Sequence, residues 1–478
     1  MKSLLSASLL FFALCTSSLA QAQTPQCASG GGATVCLRAS GTASNVQLSW
    51  TISGAVSGLQ VYRDTDSVAN GRTRLASLGN AATAYTDASA TPGTAYWYWV
   101  KFSAGGGSYS AGGALGVRVG VMRNLTSMQL STQMAPGWNL GNTLEAINTS
   151  NPYVWGSSNF NETAWGNPVA NQALFNAVKA AGFKSVRIPV SWSQYADANY
   201  NISPQWMARV TEVVNYAHNA GLYAIINVHW DGGWMNQTTY SQQAALNAKL
   251  SAFWTQIANN FKNHDDYLLF AGQNETHMDG GNGTTPEWLA VQQGFNQTFV
   301  NAVRATGGNN TNRHLVVQAY NTNIDIGTDP SYVFPSDTVA NRLFFEVHYY
   351  DPYTLTLVAN GPIWQWGATA TNPGAVDAWA NEPWVDSEFQ KVKSRYIDHG
   401  IPVIMGEYGT MSKTDLDPTS NYRKLWTQYV TRSAFQHGVV PMWWDDGYSG
   451  NHTFGLFNRN TGAQSVPDVI STIINAAQ

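Results

Sequence analysis

Eight short apolar runs, separated by helical stretches that stop at glycine, limit most of this chain to a parallel α/β architecture. The runs are Gly137–Leu140, Ser185–Val190, Tyr223–Val228, Leu268–Gln273, Leu315–Ala319, Leu343–His348, Val403–Gly406 and Val439–Trp443. Between the first two, Asn171 to Ala181 puts Leu174, Val178 and Ala181 on one helical face before Gly182. Ser203-Pro204 opens a second helix with Trp206, Val210, Val213, Val214 and Ala217 inward, and Gly221 ends it. A glycine there takes the left-handed conformation that returns the chain to the sheet. The same phrase recurs at Gly400 and Gly438. Eight parallel strands in roughly 350 residues predict a (β/α)8 barrel. An open doubly wound sheet usually carries a glycine-rich nucleotide turn after its first strand, and Gly137-Trp138-Asn139-Leu140-Gly141-Asn142 lacks the G-x-G-x-x-G form.

In such folds chemistry is done at the C-terminal ends of the strands. Here those ends carry Asn139 and Asn142, Arg187, His229, Asn274 and Glu275, His348 and Tyr350, Glu407, then Trp443 and Trp444. Two glutamates on separate strands suit glycoside hydrolysis, one as proton donor and one as nucleophile. Retention of configuration needs their carboxyl groups about 5–5.5 Å apart. Their environments must differ, because one has to stay protonated while the other is ionised. Arg187 and the His348/Tyr350 pair are expected beside Glu407, and Asn274 beside the sugar 2-hydroxyl. Trp443 or Trp444 would lie under the ring; alternate strand residues face opposite ways, so only one of them can. Asp445 and Asp446 read as a turn, and His264 and His277 as surface or supporting residues. No H-E-x-x-H or comparable metal-ligand spacing occurs, so neither a metal nor a cofactor is expected.

The chain before the barrel has a different grammar. Lys2, an apolar stretch from Leu4 to Leu14 and the small residues of Ser18-Leu19-Ala20-Gln21-Ala22 make residues 1–22 a secretory signal, too short to span a bilayer. Cys15 lacks the small preceding residue of a lipoprotein site. The chain is therefore expected outside the cytoplasm, where Cys27 and Cys36 would form one small disulfide loop. From 23 to 120 the sequence alternates in short runs, such as Val46-Gln47-Leu48-Ser49-Trp50 and Leu59-Gln60-Val61-Tyr62, with no helical period. That predicts an antiparallel sandwich. Trp50 together with Pro92-Gly93-Thr94-Ala95-Tyr96-Trp97-Tyr98 resembles a fibronectin type III domain, which implies a core or corner role for Tyr96. Trp97 and Trp99 share a strand face that would suit packing, or else a sugar. A spacer or packing module is the favoured reading, and the catalytic domain is expected to run from 124 to 478.

Charged residues make up only 11% of the chain, against roughly 25% in typical domains. No basic stripe or polybasic cluster occurs, so neither nucleic acid nor an anionic membrane is expected as a partner. Nineteen Trp and 22 Tyr beside few charges suit a surface for neutral sugars. A monomer is expected.

Five motifs in order, Trp138-Asn139-Leu140-Gly141-Asn142-Thr143, Val186-Arg187-Ile188-Pro189-Val190-Ser191-Trp192, Asn274-Glu275, Val347-His348-Tyr349-Tyr350 and Gly406-Glu407-Tyr408-Gly409, together resemble family-five glycoside hydrolases of the endoglucanase branch. The resemblance spans Met128 to about Phe457. It implies Glu275 as acid/base and Glu407 as nucleophile, with Arg187, His229, Asn274, His348, Tyr350 and Asn142 in support and a platform tryptophan after the eighth strand. Where family members commonly read Asn-Glu-Pro this chain has Asn274-Glu275-Thr276, where they often read Phe-Glu it has Phe270-Ala271, and Trp230 rather than a second histidine follows His229. The implied activity is a retaining endo-β-1,4-glucanase acting first on cellulose. Xyloglucan, mixed-linkage glucan and mannan are alternatives on the same residues, and a non-catalytic sugar-binding protein is the reading from another class. Loops from Ala146 to Trp165, Trp230 to Thr239 and Asp351 to Trp366 would shape the choice.

Overall fold

The computed structural model describes residues 24–281 and 283–478, and the expected signal segment lies outside them. The N-terminal strands are β1 (Gln26–Gly30), β2 (Ala33–Gly41), β3 (Val46–Ser53), β4 (Ser57–Asp64), β5 (Thr73–Ser77), β6 (Ala84–Asp87), β7 (Ala95–Ala104) and β8 (Gly107–Val117). They form two antiparallel four-stranded sheets, ordered β1-β2-β3-β6 and β5-β4-β7-β8. Inward residues of both sheets, among them Val35, Leu37, Trp50, Val61 and Tyr98, make one core. Cys27 and Cys36 lie opposite each other on β1 and β2 and are disulfide-bonded. Tyr96 is a core residue whose hydroxyl donates to Thr91 Oγ1 at 3.2 Å.

After Val119 the chain enters a closed barrel of eight parallel strands. These are β9 (Gly137–Asn139), β10 (Ser185–Ile188), β11 (Tyr223–Asn227), β12 (Leu268–Ala271), β13 (Leu315–Gln318), β14 (Leu343–Tyr349), β15 (Val403–Tyr408) and β16 (Val439–Trp443). The helical signals act as read: Asn171 caps the helix Gln172–Ala180 by accepting from Leu174 N, and Gly182 follows at φ +110°. Alternation along the strands divides the core in two. Outward residues such as Val186, Ile226, Phe270, Phe345 and Trp443 pack on the helices. Inward residues Ile225, Leu269, Ala271, Val316, Phe344, Ile404, Val440 and Met442 fill the barrel, closed below by Leu130 and Met134.

Strand β7 favours the packing reading of its two outer tryptophans. Ala95 to Val100 are all buried, because one face of the strand lies on the sandwich core and the other on the barrel. Trp97 and Trp99 pack with Val117, Tyr62, Leu115 and the barrel-helix residue Ala208, leaving neither ring open to a sugar. The contact is polar at its edge: Asn215 accepts from Ala95 N at 3.0 Å and donates to Ala95 O at 2.9 Å. His218 reaches both Thr94 and Asp265.

Replacing Asn215 with Ala strands two backbone groups of β7, at a cost of about 1–3 kcal/mol. The variant is expected to melt at lower temperature and to be cut sooner by protease between Arg118 and Thr126, with kcat/KM on a soluble substrate unchanged. An unchanged melting profile would show that the interface does not depend on this bond.

Candidate active site

The inward positions turn polar above the apolar filling, and Arg187 is the first of them. Its guanidinium is fully buried. Nη1 donates to Glu407 Oε1 at 2.9 Å and to Asn139 Oδ1 at 3.1 Å, Nη2 donates to Asn274 Oδ1, and Nε lies 3.0 Å from Glu346 Oε1. Asn139 in turn donates through Nδ2 to the carbonyls of Gly406, Met442 and Trp443, at 2.9, 3.2 and 3.1 Å.

Glu407 reaches this centre through a bulge. Val347 pairs with Met405, but His348 pairs with Glu407, so Gly406 is an extra residue in β15. Met405 and Tyr408 pack outward, while Gly406 and Glu407 both turn in. Re-aiming a side chain in this way is what bulges do beside active sites. A side chain at Gly406 has no room: a Cβ there would lie 1.9 Å from Glu346 Oε1.

Glu275 sits just beyond β12 with φ +47°, a conformation disfavoured for a residue with a Cβ. Gln318 Oε1 accepts from its backbone N–H at 3.2 Å, and the His277 ring bonds its carbonyl at 2.6 Å. Its carboxylate, 40% exposed, meets His348 Nδ1 at 2.7 Å. One oxygen of Glu275, one of Glu407 and a His348 nitrogen lie within 4.8 Å of one another. A divalent cation uses similar spacings, but Arg187 already supplies positive charge to Glu407 and the nearest histidine nitrogen is bound to Glu275.

The His348/Tyr350 pair divides differently from expectation. Tyr350 donates to Glu407 Oε2 at 3.1 Å, whereas His348 bonds Glu275 and stays 3.8 Å from Glu407. Burial and the neighbouring carboxylates hold the Tyr350 phenol well above its usual range, so it remains a donor. Burial alone would lower His348, but the charge of Glu407 and its bonds to Glu275 and Glu346 push it up to about 9. Burial likewise acts to raise Glu275, yet the hydrogen bond and charge of His348, with Arg187, take it below the ordinary glutamate value. Glu407 is raised by burial, with Glu275 and Glu346 adding to it against His348 and Arg187. His348 Nδ1 and the Glu275 carboxylate thus share a 2.7 Å hydrogen bond whose surroundings favour the proton on the imidazole side.

His229 is buried and held neutral, by burial first and then by the charges of Arg187 and His348. Val190 N–H donates to Asn227 Oδ1, which turns the Asn227 amide nitrogen toward His229 Nδ1 at 3.1 Å. Nε2 then carries the proton and is free to donate. The His229 ring stacks on Trp444, with planes 6° apart.

Trp444 shares the inward parity of Val440 and Met442, and it is half-buried. Trp443 has zero exposure, packs outward and donates to Phe454 O at 3.0 Å. It therefore leaves the candidate set, and Trp444 is the one of the pair that stands beside the inward polar residues. Asn142 is a half-buried turn residue at φ +56°, its backbone N–H held by Glu145 and its carbonyl by Asn167. On this strand end it is Asn139, not Asn142, that meets Arg187, as Asn274 does from β12. Asp445 is buried and clamps Trp138, Leu456, Gly447 and Arg459, and Asp446 caps the turn to Tyr448. His264 is fully buried at the base of β12 against Phe261, not at the surface.

Two residues outside the sequence-based set belong to this centre: Glu346, buried between Arg187 and His348, and Gln318, which donates to Glu346 Oε2 at 2.7 Å. Strand parity carried the signal, since Glu346 stands two residues before His348. A cleft of about 890 Å³ between sandwich and barrel shares no lining residue with the carboxylates. Its buried charges are already paired, Arg209 with Glu162.

A family model described as cellulase (glycosyl hydrolase family 5) matches residues 147–450. The chain belongs to glycosyl hydrolase family 5. The xyloglucan-specific endo-β-1,4-glucanase of Bacteroides ovatus is 45% identical over 352 residues, covering 71% of this chain and 68% of that protein. A structure of Bacteroides ovatus GH5 xyloglucanase in complex with a XXXG heptasaccharide matches with a TM-score of 0.69 at 35% identity, over 92% of this chain and 99% of that one. The GH5-4 broad-specificity endoglucanase of Bacteroides salanitronis matches with a TM-score of 0.68 at 39% identity, over 75% of this chain and 98% of that one. The chain is a glycoside hydrolase.

The two tryptophans of this family 5 site are expected to fail differently. Trp444→Ala removes a ring face worth about 1.5–3 kcal/mol of contact, about tenfold or more in KM, with melting little changed. Trp443→Ala opens a core cavity costing about 3–5 kcal/mol and lowers the melting temperature first. A KM effect confined to Trp443→Ala would reverse the assignment.

Proposed function

We propose that this enzyme hydrolyses internal β-1,4 bonds of glucan backbones, xyloglucan foremost, by double displacement with retention. The observation that carries the mechanism is the short gap between Glu275 and Glu407, whose nearest oxygens are within 4.8 Å. That spacing leaves no room for a water between sugar and carboxylate, and so favours a covalent intermediate over direct inversion.

The residues divide the work as follows. Arg187 and Tyr350 point donors at the two oxygens of Glu407, which favours its anion, and this carboxylate bonds to the anomeric carbon as the C–O bond breaks. Glu275 gives its proton to the departing glycosidic oxygen, then takes one from the water that releases the sugar from Glu407. Asn274 accepts from Arg187 through Oδ1, which turns Nδ2 outward toward a sugar hydroxyl. His229 Nε2–H and the Trp444 face supply a second polar contact and the apolar floor.

Xyloglucan takes precedence over cellulose, the first expectation from sequence, for two reasons. The Bacteroides ovatus relative and the Bacteroides ovatus structure both bear names with xyloglucan in them, and the Bacteroides salanitronis enzyme is called broad-specificity. Glu275 is also open to solvent at 40%, so the acid stands in a cleft that a branched backbone can cross rather than in a closed pocket.

Reducing ends released from xyloglucan, carboxymethylcellulose, mixed-linkage glucan and mannan test the substrate. The highest kcat/KM is expected on xyloglucan, with lower activity on the unbranched glucans; mannan cut while glucans stay whole would overturn the proposal. Glu275→Ala is expected to lose about 10²–10⁴-fold on a polysaccharide and much less on an aryl cellobioside whose leaving group needs no proton, with azide giving a retained glycosyl azide. Glu407→Ala should lose activity on both substrates, and azide or formate should restore turnover with inversion. Activity should fall as pH drops through the raised pKa of Glu407 and again as pH rises through that of the His348–Glu275 pair. Swapped rescue products would exchange the two roles.

A further inference from the structure

Glu346 is a charged residue on a strand that otherwise reads as buried and apolar, and catalysis as described above does not use it. It is 1% exposed. Its Oε1 lies 3.0 Å from Arg187 Nε and 3.3 Å from His348 Nε2, while Oε2 accepts from Gln318 at 2.7 Å. Gln318, fully buried, accepts in turn from the backbone of Glu275. One carboxylate thus touches the arginine that holds the nucleophile, the histidine that holds the acid, and the glutamine that fixes the acid's backbone. The chain gives up a side chain at Gly406 to make room for it.

We infer that Glu346 is a positioning residue for the acid/base step: it holds the proton on His348 Nε2, so that His348 Nδ1 passes the other proton to Glu275. This rests on Glu275 being the acid/base. With both ring nitrogens protonated, Nε2–H faces Glu346 and Nδ1–H faces the Glu275 carboxylate. As substrate enters, the Nδ1 proton crosses to Glu275 Oε1. The imidazole becomes neutral with its remaining proton on Nε2, and Nδ1 is left as the acceptor for the new Glu275 O–H. That proton then goes to the glycosidic oxygen as the bond to the anomeric carbon breaks. A water proton refills Glu275 during deglycosylation. Without an anion at Nε2 the ring has no reason to keep that tautomer.

The groups facing His348 decide the direction of any pH effect. Glu275 beyond β12, Glu346 on its own strand and Glu407 from β15 favour the imidazolium. Arg187 from β10 and the neutral His229 beyond β11 face the same centre, and the Tyr350 phenol points at Glu407. Substituting Glu346 by Gln removes one of three anions. The imidazolium is then lost at lower pH, and with it the stored proton.

The test compares wild type with Glu346→Gln on xyloglucan and on an aryl cellobioside with a good leaving group. Glu346→Gln is expected to lower kcat/KM on xyloglucan about 10–100-fold, in the range seen for partners of functional histidines, with a smaller loss on the aryl substrate. The basic limb of its pH profile should move down by about one unit. An unshifted basic limb, or equal losses on both substrates, would overturn the inference and leave Glu346 as no more than a counterion for Arg187. If Glu346→Gln fails to fold, nitrogen-15 spectra of wild-type histidines decide, with His348 assigned by its loss in His348→Asn. A doubly protonated ring at pH 7 supports the inference and a neutral one sinks it. Glu275→Ala run alongside separates the two claims: lacking its leaving-group signature, the acid assignment itself falls.

Discussion

A guanidinium with no exposed surface at the middle of the barrel sets the terms for everything around it. Taking such a charge out of water costs several kcal/mol even after relaxation, and only dense compensation makes it tolerable. Arg187 receives two carboxylates and two side-chain carbonyls, from Glu346, Glu407, Asn139 and Asn274. These partners come from β14, β15, β9 and the end of β12. The requirement to satisfy one cation therefore fixes the relative height of four strand ends. Moving any one of them leaves a buried charge short of a partner, a worse state than the pair never having formed.

The barrel below this point explains why the polar tier can be held so closely. Leu269, Ala271, Val316, Phe344 and Ile404 give a packed apolar floor with no exposure. Above it, each inward position exchanges dispersion contacts for hydrogen bonds. Gln318 follows Val316, Glu346 follows Phe344 and Gly406 follows Ile404, each two residues further along its strand. Glu407 then breaks the alternation. Under regular alternation, with no bulge at Gly406, it would face the helices, where Tyr408 now packs on Trp426 and bonds Thr431. The bulge and the missing side chain are one device, since the space a Cβ would take is occupied by Glu346.

This device marks the limit of what the sequence discloses. The eight strands and their polar ends could be read because apolar runs, stop-glycines and inward-outward alternation are local signals. Glu275 and Glu407 could be read because each ends such a run. Strand parity also contains the choice of Trp444 over Trp443 once Val440 and Met442 are known to face inward, but sequence alone does not say which parity is inward. Glu346 escaped because it lies within a run that looks like buried strand, and two of its three partners, Arg187 and Gln318, are distant in the chain. The pairing of His348 with Glu275 instead of Glu407 depends on the bulge, a register shift that carries no local mark beyond a glycine. The short helix Ser127–Ser131 before β9, whose Ser127 bonds Asn341 and His314, and the loop clamp at Asp445 follow the same rule: their bonds run to distant parts of the chain.

The position of the sandwich bears on how the enzyme meets a polymer. Tyr96-Trp97-Tyr98-Trp99-Val100 is not a strand with one wet face. Its continuous aromatic and apolar character is that of a strand covered on both sides, and both sides are in fact covered. The outer rings that looked available to a sugar serve to fasten the module to the barrel wall at Ala208. Further fixings lie at the opening of β12, where Gly120 N–H donates to Asn263 O, and Asn309 donates to the carbonyls of Gly120 and His264. That is the N-terminal end of the barrel strands. Glu275 and Glu407 stand at the other end, beyond Ala271 and Gly406. The module is thus anchored along the side and base of the barrel, and these fixings leave the mouth clear. On the proposed endo-acting function, a module held there would not stand in the way of a long glucan crossing Trp444 and the two glutamates.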